Sequence, residues 1–227
     1  LFSRKHGMGF SATRLTIGAS DFSQSHYTYA DTSGNPVADI TPARAHVIPT
    51  VKAMQRINPD LIVMASPWSA PAWMKTNNSL IQGKLDPSHY GDFARYLVSY
   101  TKAMGRAGVT IDYLTIQNEP HFEPKDYPGM RVEPAARAAF VGGHLGPLMD
   151  RETPKTKLLD WDHNGEEPQS PTAVLSDAKA ARFVDGVAWH CYAGEVSAQS
   201  PVHDAFPSKE TWMTECSAGK WSGPWQD

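Results

Sequence analysis

The sequence predicts an α/β chain wound as a (β/α)8 TIM barrel, incomplete and holding only strands two to seven. Three observations predict it. Short apolar runs alternate with segments of helical periodicity, the signature of a parallel sheet with helices outside it. Polar and aromatic side chains gather at the carboxyl end of almost every run, where barrel enzymes build their sites. The Gly-rich stretch Gly7-Met8-Gly9-Phe10-Ser11-Ala12 precedes a strand instead of joining strand to helix, which argues against a doubly wound dinucleotide fold.

In chain order, strands are expected at Ala12 to Ile17, Leu61 to Ala65, Tyr113 to Gln117, Leu158 to Trp161, Val187 to Tyr192 and Thr211 to Thr214. The first helix starts at Thr41-Pro42, a good N-cap and N1 pair, and carries Val47, Ile48, Val51, Met54 and Ile57, with Pro49 early enough to be tolerated. The second buries Phe93, Tyr96, Leu97, Tyr100 and Met104 and stops at Gly108. A third runs from about Pro134 to Met149, with Gly142-Gly143 as its weak point, and a fourth follows Ser170-Pro171.

The 227 residues suit one large core, so a single domain over 1–227 is expected. Hydrophobic residues make up 41 % and no apolar run approaches the ~18 residues of a membrane span, so no transmembrane segment is expected. A net charge of −3 without a Lys/Arg cluster leaves no footprint for nucleic acid. The amino terminus has neither an initiator methionine nor a signal-peptide pattern, so a fragment or processed chain is expected. Two cysteines make no disulfide framework. Cys191 follows His190 and Cys216 follows Glu215; with His190 and Glu215 facing the barrel axis, both thiols turn outward, and free buried thiols are expected unless neighbouring strands bring the two together.

The polar strand ends are Arg14 and Asp21, Ser66-Pro67-Trp68, Asn118-Glu119, Asp160-Trp161-Asp162-His163-Asn164, His190 with Tyr192, and Glu215. Glu119 and Glu215 each close a strand on a carboxylic acid. Such a pair suits retaining glycoside hydrolysis, in which carboxyl groups ~5–5.5 Å apart act as acid/base and nucleophile. Mutual repulsion separates the ionisation of two such neighbours. Trp68, between Pro67 and Pro71, suits stacking on a sugar face. His190 and His163 raise a metal-dependent hydrolase as a lesser alternative, but no H-x-H or H-x-x-x-H pair lies near a strand end, so neither metal nor cofactor is expected.

These residues resemble glycoside hydrolase family 30, retaining β-glycosidases that include glucosylceramidases. The resemblance rests on Arg14-Leu15-Thr16-Ile17-Gly18-Ala19-Ser20-Asp21-Phe22-Ser23, Ala65-Ser66-Pro67-Trp68, Gln117-Asn118-Glu119-Pro120, Trp161-Asp162-His163-Asn164, His190-Cys191-Tyr192 and Thr214-Glu215-Cys216. It implies Glu119 as acid/base and Glu215 as nucleophile. Asn118 would hold the sugar 2-hydroxyl, Asp21 and Trp68 would bind hydroxyls at its far side, and Trp161 joins the substrate-binding set. Arg14, His190 and Tyr192 would surround the carboxylates. The implied substrate is a β-glucoside of glucosylceramide or β-glucan type, a carbohydrate or glycolipid, met outside the cytoplasm. The family's first and eighth strands and its β-sandwich have no counterpart in the sequence, so a truncated, catalytically incompetent or merely carbohydrate-binding relative stays open.

Overall fold

The computed structural model describes residues 1–219 and places six strands in a parallel sheet whose spatial order follows the chain. They are β1 (Ala12–Ile17), β2 (Ile62–Pro67), β3 (Tyr113–Thr115), β4 (Lys157–Asn164), β5 (Gly186–His190) and β6 (Glu210–Glu215). Each strand pairs in parallel with the next, so every connection crosses over through helix or loop. The sheet curls on itself. Arg14 of β1 and Glu215 of β6 stand on opposite edges, yet their side chains meet at 2.7 Å, and the Tyr113 and Trp212 rings lie 4.6 Å apart across the interior. This is the incomplete barrel that the alternating pattern predicts.

The barrel interior has two layers. Met64, Tyr113, Leu159 and Ala188, with Ile62 and Trp212 against them, form an apolar floor. One step of strand alternation further on, Arg14, Ser66, Thr115, Asp162, His190 and Thr214 form a polar layer joined by hydrogen bonds. The outward faces of the same strands, including Ile17, Val63, Ala65, Leu114, Leu158, Val187 and Trp189, enter the large core under the helices. Buried on both faces, the central strands read as nearly continuous apolar runs.

The helical layer differs from expectation in detail. The first helix is broken at His46 into α1 (Thr41–Ala45) and α2 (Val47–Ile57), because in a continuous helix the Pro49 ring would strike the Ala45 carbonyl. α3 (Tyr90–Arg106) is as expected. The third helix runs as α4 (Pro134–Phe140), a π-helical turn at Val141–Leu145, and α5 (Gly146–Glu152). Its weak point has a packing reason: a Cβ on Gly142 would lie 2.9 Å from Cβ of Lys179 on the neighbouring helix. The fourth splits into α6 (Gln169–Ser176) and α7 (Ala178–Ala181), the latter capped by the Asp177 carboxylate. A further helix, α8 (Gln199–Ala205), is not evident in the sequence because it buries only Val202.

Candidate active site

Beyond β3 the chain leaves the sheet through Gln117-Asn118-Glu119-Pro120, gripped by both neighbours. The Asn118 N–H donates to the Pro67 carbonyl of β2 at 2.8 Å, and the Glu119 N–H donates to the Asp162 carbonyl of β4 at 3.0 Å. Bridging two strands puts Glu119 at φ 46°, a left-handed conformation that costs a side-chain-bearing residue about 1–2 kcal/mol. Pro120 then prevents a return to the ladder.

A bulge in β4 sets the opposite wall. Trp161 and Asp162 are both left-handed, at φ 77° and 52°, and pairing with β5 skips Asp162. The bulge reverses simple alternation: Trp161 turns out into the core and Asp162 turns into the barrel. Fully buried there, the Asp162 carboxylate accepts hydrogen bonds from Arg14 Nη2 (2.7 Å), Ser66 Oγ (2.8 Å), Thr115 Oγ1 (2.8 Å), Thr214 Oγ1 (2.6 Å) and His190 Nε2 (3.1 Å). Burial alone would raise its pKa; Arg14, His190 and Thr214 outweigh that and hold it far below the usual carboxylate range.

Arg14 connects this anion to the second glutamate. Its Nη1 donates to Glu215 Oε2 at 2.7 Å, its Nη2 also reaches Asn118 Oδ1 at 2.8 Å, and the Trp68 ring covers the guanidinium at 4.9 Å. The Tyr192 hydroxyl donates to Glu215 Oε1 at 3.0 Å, so both carboxylate oxygens are held. Glu215 reaches the interior through a second register shift, between Trp189 and His190, which lets consecutive Thr214 and Glu215 both serve the polar layer.

His190 stands between the acids, with Nδ1 3.3 Å from Glu119 Oε1 and Nε2 3.9 Å from Glu215 Oε2. Burial would lower its pKa, but the bonds to Asp162 and Glu119 push it up to about 9, so near neutrality it is a cation donating from both nitrogens. His163, 3.8 Å from Glu119, is driven the other way, down to about 4, chiefly by burial. Glu119, His163 and His190 each bring a donor atom within 4.8 Å of the others, and His163 Nδ1 has no hydrogen-bond partner among the described residues. Because His190 Nδ1 carries a proton directed at Glu119, the trio would take a metal only after that proton had left.

Above this layer lies a cleft of about 600 Å³ whose walls include Asp21, Phe22, Glu119, Tyr127, Tyr192 and Glu215. Asp21 sits on the rim, its pKa raised by desolvation and by the charges on Glu215 and Glu119. Trp68 and Asn118 lie beside Glu119 in a small recess next to it. Of the residues the sequence nominates, Arg14, Asp21, Trp68, Asn118, Glu119, His190, Tyr192 and Glu215 therefore converge. Trp161 does not: it is 1 % exposed, its indole N–H donates to the Asn164 carbonyl, and its ring packs between Arg137 and His163. Asp160 faces outward into a fully buried pair with Arg137, and Trp73 donates its indole N–H to the Ala30 carbonyl. The expectation of free thiols is also corrected. Cys191 and Cys216 do face outward, but adjacent strand ends place their Cα atoms 5.1 Å apart and they form a disulfide. Sequence reading missed Asp162 as the hub, along with Phe22, Phe122, Tyr127 and Glu167 on the cleft wall. The turn-rich stretch from Pro120 to Pro128 was the available signal for two of these.

Several known proteins are similar to this chain over nearly its whole length. Endo-1,6-beta-D-glucanase of Neurospora crassa is 34 % identical over 232 residues, covering 96 % of this chain and 48 % of its own. Lysosomal acid glucosylceramidase of Mus musculus is 26 % identical, covering 94 % and 45 %. The solved structure of the endo-beta1,6-glucanase BT3312 superposes with a TM-score of 0.92 at 34 % identity, covering 97 % of this chain and 52 % of that one. The chain thus spans about half the length of the curated relatives it matches. Residues 1–226 match the glycosyl hydrolase family 30 TIM-barrel domain, and the chain belongs to that family.

Proposed function

We propose that the protein hydrolyses β-glucosidic bonds with retention of configuration, acting on a β-1,6-linked glucan. The observation that carries the reading is the placement of Glu119 and Glu215 on one cleft, with both Glu215 oxygens held by Arg14 and Tyr192 and with His190 between the acids. Arg14 and His190 face Asp162 and Glu215, so two cations and two anions balance in this layer before Glu119 is counted. Glu119 faces Glu215 across the cleft, the placement an acid/base partner needs.

In the first step a Glu215 oxygen attacks the anomeric carbon while Glu119 gives its proton to the leaving oxygen, and the C–O bond breaks. The His190 Nδ1–H, 3.3 Å away, stabilises the carboxylate that forms on Glu119. In the second step Glu119 takes a proton from water, whose oxygen attacks the same carbon and releases Glu215. The Asn118 carbonyl oxygen is engaged by Arg14, which leaves its NH2 group to donate to the sugar 2-hydroxyl.

The substrate class draws on the relatives named endo-1,6-β-glucanase, which share more identity with this chain than the glucosylceramidase does. The cleft supports it, being open and walled by the exposed rings of Phe22 and Phe122, which suit stacking on successive sugars. An extracytoplasmic location accords with the disulfide. Proton NMR of the first-formed anomer from a β-1,6-glucan oligomer tests the mechanism: β is expected, and α would overturn it. In Glu215→Ala, azide should restore turnover and give the α-glycosyl azide. No cleavage of β-1,6-linkages alongside turnover of another β-glucoside would overturn the substrate class alone.

A further inference from the structure

The β5–β6 ladder ends on the pair His190 and Glu215, and β6 itself ends at Glu215. The next residue of each chain is a cysteine, and the two are joined. A covalent bond thus joins the two segments at the point where backbone pairing stops. On either side of it lie contacts that the proposed reaction needs. Before it, His190 Nε2 is 3.9 Å from Glu215 Oε2; after it, the Tyr192 hydroxyl is 3.1 Å from Ser217 Oγ and 3.0 Å from Glu215 Oε1. The register shift that brings Thr214 and Glu215 inward lies two residues from Cys216. Two inward side chains in a row depend on β6 keeping this shifted register against β5, which a cross-link at the ladder's end would fix.

We propose that the Cys191–Cys216 disulfide is a positioning element for the nucleophile, holding the end of β6 in the register that presents the Glu215 carboxylate to Arg14 and Tyr192. This rests on the assignment of Glu215 above and extends it. Both cysteines are exposed, so a small reductant can reach the bond in the folded protein. Reduction by dithiothreitol transfers two electrons and two protons, turning the disulfide into two thiols while the reagent closes to its cyclic disulfide. The opened bond frees the β6 end to move, and a misplacement of about 1 Å at a reacting group costs on the order of a hundredfold in rate.

The test uses the complete protein, reduced in its folded state and alkylated with iodoacetamide, beside a Cys191→Ala/Cys216→Ala variant. With a β-glucoside reporter well below the melting temperature, kcat should fall by about tenfold to a hundredfold while KM changes little, since the subsite residues on β1 to β3 stay in place. Reoxidation of reduced, unalkylated protein should restore kcat. A lower melting temperature with unchanged kcat would overturn the proposal, because a purely structural cross-link behaves that way. Hydrogen–deuterium exchange over residues 213–219 needs no substrate and separates this idea from the glycosidase reading. Faster exchange on reduction is expected even if no reporter is cleaved, and unchanged exchange would overturn the positioning role even in an active enzyme.

Discussion

The carbonyl oxygen of Asp162 accepts the backbone N–H of Glu119 at 3.0 Å. The same residue holds Arg14 with its side chain, so the position of one acid and the clamp on the other meet at a single aspartate. Asp162→Asn keeps the backbone bond and removes the charge, leaving Arg14 and His190 without their buried counter-ion. Denaturant melts should show a loss of about 3–5 kcal/mol, with kcat falling as the Glu215 clamp loosens. A change under about 1 kcal/mol would show that Arg14 is adequately balanced by Glu215 alone.

Acid/base and nucleophile respond differently to the leaving group. Glu119→Gln should turn over an activated aryl β-glucoside in its first step, because a phenolate leaves without a proton, while cleavage of an unactivated disaccharide falls by more than about a hundredfold. Equal losses on both substrates would remove Glu119 from the acid role.

His190 ties stability to pH. Its pKa rises from 6.5 in the unfolded chain to about 9 in the fold, so the native state binds the extra proton between those values. The stabilisation is complete below 6.5 and lost as pH climbs through about 9. The advantage of wild type over His190→Asn should shrink across that window by an amount of order 3 kcal/mol. Urea midpoints at several pH values measure it, and a constant difference would mean that the imidazole is neutral in the native state.

Lys75 works in the opposite sense. Its buried Nζ bonds to Ser69 Oγ, Leu80 O and Gly129 O at 2.9, 3.0 and 2.8 Å, tying the loop after β2 to the segment that carries Tyr127. Burial pushes its pKa down to about 7 from 10.5, so between those values the unfolded chain holds a proton that the native state has shed, and stability from this group rises with pH. Lys75→Met takes the donor from the Gly129 carbonyl, while the Leu80 carbonyl keeps the Gly129 N–H at 3.0 Å, a cost of about 1–3 kcal/mol. The wild-type advantage should grow from pH 7 towards 10, and KM should rise in the variant as the cleft wall loosens.

The strand order and most of the site were legible because both depend on local pattern. Apolar runs ending in polar tips mark parallel barrel strands, and Glu119 and Glu215 each stand at such a tip. What was illegible turns on backbone geometry and on pairing between distant segments. Two consecutive left-handed residues swap the faces of Trp161 and Asp162, so the tryptophan nominated for the substrate lies in the core and the aspartate stands at the centre of the network. The outward direction of Cys191 and Cys216 could be read, but their separation depends on a register shift that composition does not encode. Lys75 reads as a surface residue, and only three convergent oxygens from separate loops make its burial tolerable.

A sheet whose order in space repeats its order in the chain can assemble unit by unit, each strand settling on the one made just before it with little loop to close. The contact between Arg14 and Glu215 does not share that economy, since 201 residues separate the two. It cannot form until the ribbon has curled far enough to bring β1 and β6 face to face. During refolding, helix and sheet content therefore accumulates progressively while the Arg14–Glu215 contact arrives late, and its appearance becomes a clock for closure of the sheet.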